Sequence, residues 1–204
     1  LPDERIAGVS FTGSHPSARI INRQLALRDG PIIPFIAETG GVNCMLVDST
    51  ALPEQVVDDV ITSAFRSAGQ RCSALRVLFV QSDVADRVIA LLSGAMKELK
   101  VGDPHKLSTD VGPVIDQAAH DRISAHLTHL QETATFIAKS PSPDSELLGY
   151  FVEPQAWEIS SLSALREEVF GPILHVVRYH SEDLDTIIKD IRSSKFGLTM
   201  GIHS

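Results

Sequence analysis

The chain of 204 residues contains two cysteines, and their sequence settings differ. Cys72 lies in the stretch 69–74, Gly-Gln-Arg-Cys-Ser-Ala, between a predicted helix and a predicted strand. Thiolate chemistry needs a partly exposed cysteine near a positive charge or a base, and a turn allows that exposure. A lone cysteine is more often a buried structural residue, so Cys72 alone leaves both interpretations open. Cys44 follows a Gly-Gly pair and is predicted to be a small core residue.

A carboxylate, Glu38, comes at the end of an apolar stretch and is followed by Thr39 and two glycines. In open α/β sheets, ligands bind beyond the carboxyl ends of the strands. A carboxylate at such a position can act as a general base when its pKa suits the reaction. A solvated acid at the end of a loop fits the same pattern, and the residues alone do not separate the two interpretations.

Two further segments have residue types that suit a nucleotide. Residues 12–14, Thr-Gly-Ser, end a predicted strand and begin a helix, where backbone N–H groups suit a phosphate. An ordinary helix cap explains them equally well. Residues 166–172, Arg-Glu-Glu-Val-Phe-Gly-Pro, combine two acids with a phenylalanine and suit a ribose and a flat ring, or form a solvated turn. No metal site is predicted, because a Cys44/Cys72 pair would lack two further ligands.

The elements that must position these residues alternate between strand and helix. Strands joined by helical crossovers predict an α/β fold with a largely parallel sheet. Residues 140–145, Ser-Pro-Ser-Pro-Asp-Ser, predict a surface loop. The predicted strands are 6–11, 31–37, 44–47, 74–81 and 173–179, and the predicted helices are 16–27, 53–68, 82–100, 116–133 and 182–193.

Composition excludes several classes of protein. A hydrophobic fraction of 43% with 22% charged residues is too apolar for a disordered chain. Two cysteines make no disulfide framework, so a reducing, cytoplasmic compartment is expected. No apolar run reaches the roughly 18–20 residues that cross a bilayer, and the net charge of −8 disfavours nucleic acid as a partner. The chain starts without Met and ends abruptly, which suggests a piece of a longer protein.

Taken together, the motifs resemble the aldehyde dehydrogenase superfamily. The matching motifs occur in that family's order, at 11–14, 38–41, 69–72 and 168–172, and residues 101–104, 109–115 and 150–154 also match. Residues 37–43, 67–76 and 174–179 resemble the bacterial proline utilization A (PutA) family. In that family an FAD-dependent proline dehydrogenase is joined to an L-glutamate γ-semialdehyde (Δ1-pyrroline-5-carboxylate) dehydrogenase. The stretch His15-Pro16-Ser17 departs from the family pattern.

The resemblance implies NAD-dependent oxidation of the semialdehyde, with a role for each matching residue. Cys72 would attack the aldehyde carbon, its own N–H would stabilise the oxyanion, and Glu38 would activate the hydrolytic water. Ser73 would bind the substrate carboxylate. Ser14 would contact the pyrophosphate, Glu168 the nicotinamide ribose and Phe170 the nicotinamide. The residues expected to bind the cofactor are Gly13, Ser14, Thr39, Glu168 and Phe170.

The resemblance also implies a three-layer αβα architecture with two parts. Residues 1–40 would be the end of a Rossmann-like NAD-binding domain, and residues 41–204 most of the catalytic domain. A second oxyanion donor (Asn), an adenosine-ribose Lys and a substrate-anchoring loop would lie outside the chain, so the isolated chain is expected to be inactive. FAD would belong only to a separate domain of the parent, which is expected to be a homo-oligomer.

Three alternatives to this function remain at this stage. The chain could belong to a dehydrogenase for another aldehyde, or it could be a non-catalytic scaffold or interaction fragment. A cysteine hydrolase is less favoured, because no histidine lies in a recognisable partner motif.

Overall fold

The computed structural model describes residues 1–165 and 167–204, and the chain divides into two compact units, Leu1–Gly41 and Val42–Ser204. The smaller unit consists of strand β1 (Val9–Gly13), helix α1 (His15–Ala26) and strand β2 (Phe35–Thr39). The two strands pair in parallel and form a two-stranded sheet. A strand, a helix and a parallel strand therefore make up this unit.

Both strands of the smaller unit begin later than the predicted ranges, 6–11 and 31–37. Pro31 and Pro34 lie at the predicted start of the second strand, and proline has no N–H to donate to a sheet. The Pro34 carbonyl instead accepts a hydrogen bond from Val9 N at 3.0 Å, which marks the point where pairing begins. The shift moves Glu38 and Thr39 from the following turn into the last two positions of β2.

The larger unit contains a six-stranded sheet with helices packed against it. The strands lie in the order β5-β6-β7-β4-β3-β8, and every neighbouring pair is parallel except β5–β6. The predicted α/β class and the largely parallel sheet are thereby confirmed. The elements are β3 (Asn43–Val47), α2 (Pro53–Ala64), β4 (Leu75–Gln81), α3 (Ser82–Glu98), α4 (Gln117–Thr133), β5 (Thr135–Lys139), β6 (Gln155–Glu158), β7 (Ile173–Tyr179), α5 (Leu184–Ser193) and β8 (Met200–His203).

The core of the larger unit lies along β3, β4 and β7. These strands are buried over almost their whole length, as expected of parallel strands covered on both faces. Helix α2 adds Val56 and Val60, which are fully buried. Three polar side chains interrupt this apolar interior, those of Asn43 on β3, Arg76 on β4 and His175 on β7. Buried polar groups need partners, and all three belong to the site described below.

Three strands were not predicted, and one helix is shorter than predicted. β5, β6 and β8 have five, four and four residues, too short for an alternating pattern to stand out from their surroundings. Helix α2 ends at Ala64 instead of residue 68, because Ser67 and Ala68 adopt left-handed backbone conformations. The apolar stripe used for the prediction continues past the end of the helix, into the turn before Cys72.

Candidate active site

The smaller unit brings four of the predicted site residues to one end of its sheet. The parallel register places Thr12 opposite Glu38 and Gly13 opposite Thr39, and Ser14 follows immediately. The carboxyl ends of β1 and β2 are thus adjacent, because parallel strands end at the same edge. Glu38 is exposed there, so its carboxylate is open to water.

Ser14 is the N-cap of α1. Its Oγ accepts a hydrogen bond from Ser17 N at 3.3 Å and donates to Ser17 Oγ at 2.9 Å. Pro16 lies in the first turn, where its missing N–H costs no helical hydrogen bond. The departure from the family pattern at residues 15–17 therefore makes a regular helix start. Pro16 has no N–H and the Ser17 N–H is bonded to Ser14 Oγ, so of residues 15–17 only the His15 N–H is left for an anion.

In the larger unit the loop that contains Cys72 has an unusual backbone. Ser67, Ala68 and Gly69 have φ values of 57°, 52° and 63°, a run of three left-handed residues. Two of them carry side chains, which raises the energy of the turn by about 1–2 kcal/mol each. Gly69 permits a close approach, because a Cβ there would overlap the Gly171 carbonyl oxygen and lie 2.9 Å from the Ala64 oxygen. Strain of this kind persists only where surrounding contacts fix the chain.

Asn43 supplies several of those contacts. Its Nδ2 donates to the carbonyl oxygens of Cys72 at 2.7 Å and Ala74 at 2.9 Å, while its Oδ1 accepts from Thr199 N at 3.2 Å. The Asn43 side chain is 3% exposed, so these bonds form away from water. A further anchor is Gln70, whose Oε1 accepts from Ile115 N at 3.0 Å. The loop around Cys72 is thus held from two distant residues, Asn43 and Ile115, and Thr199 in turn holds Asn43.

The two cysteines differ as predicted. Cys44 is 3% exposed in the core, and burial raises the pKa of its thiol to about 12. Its Sγ donates weakly to the Val42 carbonyl oxygen at 3.4 Å. Cys72 is exposed, as is Ser73 beside it. Burial keeps Cys44 a thiol at neutral pH, whereas Cys72 is open to an electrophile from solvent.

The predicted cofactor residues Glu168 and Phe170 both contact one buried side chain, Arg76. Arg76 Nη2 lies 2.9 Å from Glu168 Oε1, and its Cζ lies 5.2 Å from the centroid of the Phe170 ring. The Phe170 ring stays partly open to solvent. Arg166, the first residue of this motif, lies outside the described residues. Arg71, which precedes Cys72 in the sequence, donates from Nη2 to the Thr62 carbonyl at 2.9 Å.

A pair of neutral histidines lies next to this network. His175 Nδ1 lies 3.0 Å from the Arg76 carbonyl, and its Nε2 lies 2.8 Å from His126 Nε2. A carbonyl only accepts, so His175 Nδ1 donates, its Nε2 accepts, and His126 Nε2 is the donor. Burial lowers the pKa of His126 to about 4 and that of His175 to about 3, so both rings are neutral at pH 7.

A cavity of about 610 Å³ opens beside these residues. Its walls include His126 and Arg122 on α4, and Glu168 and Phe170 on the segment before β7. A cavity with a carboxylate, an aromatic ring and a guanidinium suits a polar ligand that carries a flat ring. Within residues 1–165 and 167–204, no group of three or more metal-ligating side chains is found.

Sequence reasoning missed Arg76, Asn43 and the histidine pair as parts of the site. For Arg76 a signal was present, since a charged residue in the run Leu-Arg-Val-Leu-Phe-Val must find partners when the strand is buried. Asn43 offered a weaker signal, as a polar residue at the start of a buried strand. His126 and His175 are 49 positions apart, and no spacing rule connects them.

The family profile described as "Aldehyde dehydrogenase family" matches residues 1–204. The chain belongs to the aldehyde dehydrogenase family. It is 48% identical over 210 residues to the bifunctional protein PutA of Klebsiella aerogenes, and the match covers 99% of this chain and 16% of that protein. It is 32% identical over 201 residues to the 1-pyrroline-5-carboxylate dehydrogenase of Geobacillus sp. (strain WCH70), covering 96% of this chain and 38% of that protein.

Among solved structures, a mutant of Bradyrhizobium japonicum proline utilization A has a TM-score of 0.95 and 56% identity. The match covers 100% of this chain and 20% of that protein. The predicted membership of the family and its α/β fold are confirmed. The chain spans between about a sixth and two fifths of the length of the relatives described. In the described part of the chain, no helix is long and apolar enough to cross a membrane.

Proposed function

We propose that this chain carries the nucleophile of an NAD-dependent L-glutamate γ-semialdehyde dehydrogenase that acts in proline catabolism. The observation that supports this most directly is Cys72, an exposed thiol on a strained loop with buried anchors. Similarity to PutA and 1-pyrroline-5-carboxylate dehydrogenase supports the substrate. The larger protein would oxidise the semialdehyde to L-glutamate and would also contain an FAD-dependent proline dehydrogenase.

The proposed reaction proceeds in two stages on the Cys72 sulfur. The thiolate forms a bond to the aldehyde carbon, and the carbonyl oxygen becomes the oxyanion of a thiohemiacetal, which the Cys72 N–H stabilises. NAD, when bound, supplies the acceptor for the hydride that leaves this carbon. A thioester remains. Glu38 then takes a proton from water, whose oxygen attacks the thioester carbon and releases the thiolate and the carboxylic acid.

In each unit, the residues proposed for the cofactor suit one part of a dinucleotide. Arg76 binds Glu168 through Oε1, and within the described ranges no hydrogen bond engages Oε2, which leaves an acceptor for ribose hydroxyls. The exposed face of Phe170 suits the nicotinamide ring. Gly13 and Thr39, paired across β1 and β2, lie beside the start of α1, where the His15 N–H would help to bind a pyrophosphate.

The proposal assigns residues 1–40 to the end of the NAD-binding domain and residues 41–204 to most of the catalytic domain, and the boundary between the two compact units falls one residue later. A second oxyanion donor, an adenosine-ribose lysine and a loop for the substrate carboxylate would come from other parts of a larger protein. Ser73 would contribute to carboxylate binding from this chain. The larger protein is proposed to be a cytoplasmic homo-oligomer, and the isolated chain to be inactive.

The test uses the complete protein that contains this chain. Cys72→Ala should lower semialdehyde-dependent NADH formation by more than about a thousandfold, because the substitution removes the attacking sulfur and Cys44, the other cysteine of this chain, is buried. Oxidation of proline by the parent should persist. Cys44→Ala is the matched control and should retain activity, since Cys44 is buried away from substrate. Semialdehyde oxidation by Cys72→Ala would reject the proposed nucleophile, and NADH formation by the isolated 204 residues would reject the proposed inactivity.

Two measurements address the remaining alternatives. A panel of aldehydes on the complete protein compares the semialdehyde with other substrates, and a preference for another aldehyde would change the substrate assignment. Alkylation by iodoacetamide, followed at the level of peptides, tests for a scaffold. Fast, pH-dependent labelling of Cys72 with slow labelling of Cys44 supports a nucleophile, whereas an inert Cys72 would favour a non-catalytic role.

A further inference from the structure

Arg76 is a buried cation in a strand that is otherwise apolar. Its side chain is 1% exposed, and its neighbours on β4 are Leu75 and Val77. A guanidinium has five N–H groups, and a buried one must find an acceptor for each. Arg76 makes five hydrogen bonds, one from Nε and two from each terminal nitrogen. The group is therefore fully satisfied and fixed in orientation.

The acceptors of Arg76 belong to two separate segments. On the loop of Cys72, Nη1 donates to the Gly69 carbonyl at 2.7 Å and Nη2 to the Arg71 carbonyl at 3.1 Å. On the segment before β7, Nη1 donates to the Gly171 carbonyl at 3.2 Å. Nε at 3.3 Å and Nη2 at 2.9 Å both donate to Glu168 Oε1. One rigid, planar group thus joins the segment of the nucleophile to the segment of the ribose carboxylate.

The geometry of the bonds requires arginine. A lysine ammonium has three donors on a flexible stem, so it cannot reach carbonyls and a carboxylate on both segments at once. Burial lowers the pKa of the Arg76 guanidinium from its ordinary value, while its hydrogen bond to Glu168 and the charge of that carboxylate act in the opposite direction. Its position over the Phe170 ring also fixes a residue assigned to the nicotinamide.

We propose that Arg76 is a positioning residue that holds the Glu168 carboxylate and the Phe170 ring in a fixed position relative to the Cys72 loop. This inference rests on the proposed function. In the proposed reaction, Glu168 and Phe170 would hold the ring that accepts the hydride from the carbon bound to Cys72. Because reaction rates respond steeply to shifts of about 1 Å between reacting groups, a side chain that joins both segments affects catalysis without contacting substrate.

The test compares Arg76→Lys with Arg178→Lys in the complete protein. Arg178 is the matched control, since it also forms ion pairs from a strand, with Asp86 and Glu158, but its partners lie outside the proposed site. We expect Arg76→Lys to raise the KM for NAD by about tenfold or more and to lower kcat, and Arg178→Lys to leave both within about twofold.

A double-mutant cycle separates positioning from a general loss of structure. If Arg76 acts through Glu168, Arg76→Lys should change the KM for NAD little further when Glu168 is already replaced by Gln. The inference would be overturned if the two substitutions raised the KM for NAD by independent factors that multiply in the double variant. It would also be overturned if a folded Arg76→Lys variant had an unchanged KM for NAD. Circular dichroism and the melting temperature identify folded variants, and an Arg76→Gln variant with the same cycle serves if the lysine variant fails to fold.

Failure of the inference differs from failure of the proposed function. If the parent oxidises the semialdehyde and Cys72→Ala abolishes that activity, an unaffected Arg76→Lys rejects only the positioning role. If Cys72→Ala remains active, the proposed nucleophile is wrong, and the position of Glu168 relative to the Cys72 loop is then not relevant to catalysis.

Discussion

The candidate residues of the smaller unit lie where strands end, whereas those of the larger unit lie where strands begin. Ser14 follows β1, and Glu38 is the last but one residue of β2. Cys72 precedes β4, and Glu168 precedes β7. The first pair is held by a helix cap and the register of two strands, and the second by buried bonds between residues far apart in the chain. Local geometry suffices in one unit, while tertiary contacts set the site in the other.

Among the substitutions that test this difference between the units, Gly69→Ala is expected to have the largest effect on the free energy of unfolding. The new Cβ would overlap the Gly171 carbonyl oxygen, and φ of 63° is unfavourable for alanine. We expect a loss of about 3 kcal/mol in the free energy of unfolding, measured in urea. Gly94→Ala in α3 is the matched control, because its Cβ meets no atom within 4 Å, and it should stabilise by about 0.5–1 kcal/mol. A cost below about 1 kcal/mol at Gly69 would show that the loop relaxes freely.

His175→Phe is expected to have a smaller effect on the free energy of unfolding, and this effect depends on pH. The folded pKa of His175, about 3, lies below the ordinary value of 6.5, so the unfolded chain binds the proton first as the pH falls. The contribution of the neutral His175 ring to the free energy of unfolding is complete above pH 6.5 and is lost as the pH falls from 6.5 to 3. His175→Phe should cost about 1–3 kcal/mol at pH 7, because the Arg76 carbonyl loses its donor.

The same variant should be less sensitive to acid. Between pH 7 and 5 it should lose about 2 kcal/mol less than the unmodified chain, measured from urea unfolding at both pH values. An equal loss in both chains would contradict the assignment of a buried neutral ring at His175.

The smallest effect is expected from Ser14→Ala in the smaller unit. The substitution removes the oxygen that accepts from Ser17 N, and loss of such a cap costs about 1 kcal/mol. Helicity of residues 15–26, followed by amide hydrogen exchange, should fall, while protection of β4 in the larger unit should not change. Lower protection in β4 would show that Ser14 is not a purely local determinant. Ser14→Asp, which keeps a capping oxygen, is the control.

Much of the fold follows from patterns in the chain. The buried runs of β3, β4 and β7 and the amphipathic helices were predicted within a few residues, because a parallel sheet with helical crossovers has a repeating apolar signature. The short strands β5, β6 and β8 were missed, since pairing with neighbours defines them more than their own residues do. The end of α2 was misplaced because backbone conformation at Ser67 is set by contacts of the loop, and an apolar stripe does not report it.

The sequence alone determined the family, through motifs in a fixed order, and it identified Cys72, Glu38, Ser14, Glu168 and Phe170 as candidates. Residue types carry that information because thiolate, carboxylate and helix-cap chemistry each need a particular side chain. Only the tertiary structure decided which cysteine is exposed and which partners hold the loop of Cys72. Arg76 binds Glu168, which lies 92 positions further along the chain. An arginine in a buried apolar strand predicts, from the sequence, that its guanidinium needs hydrogen-bond acceptors. The packing of the sheet determines which acceptors these are.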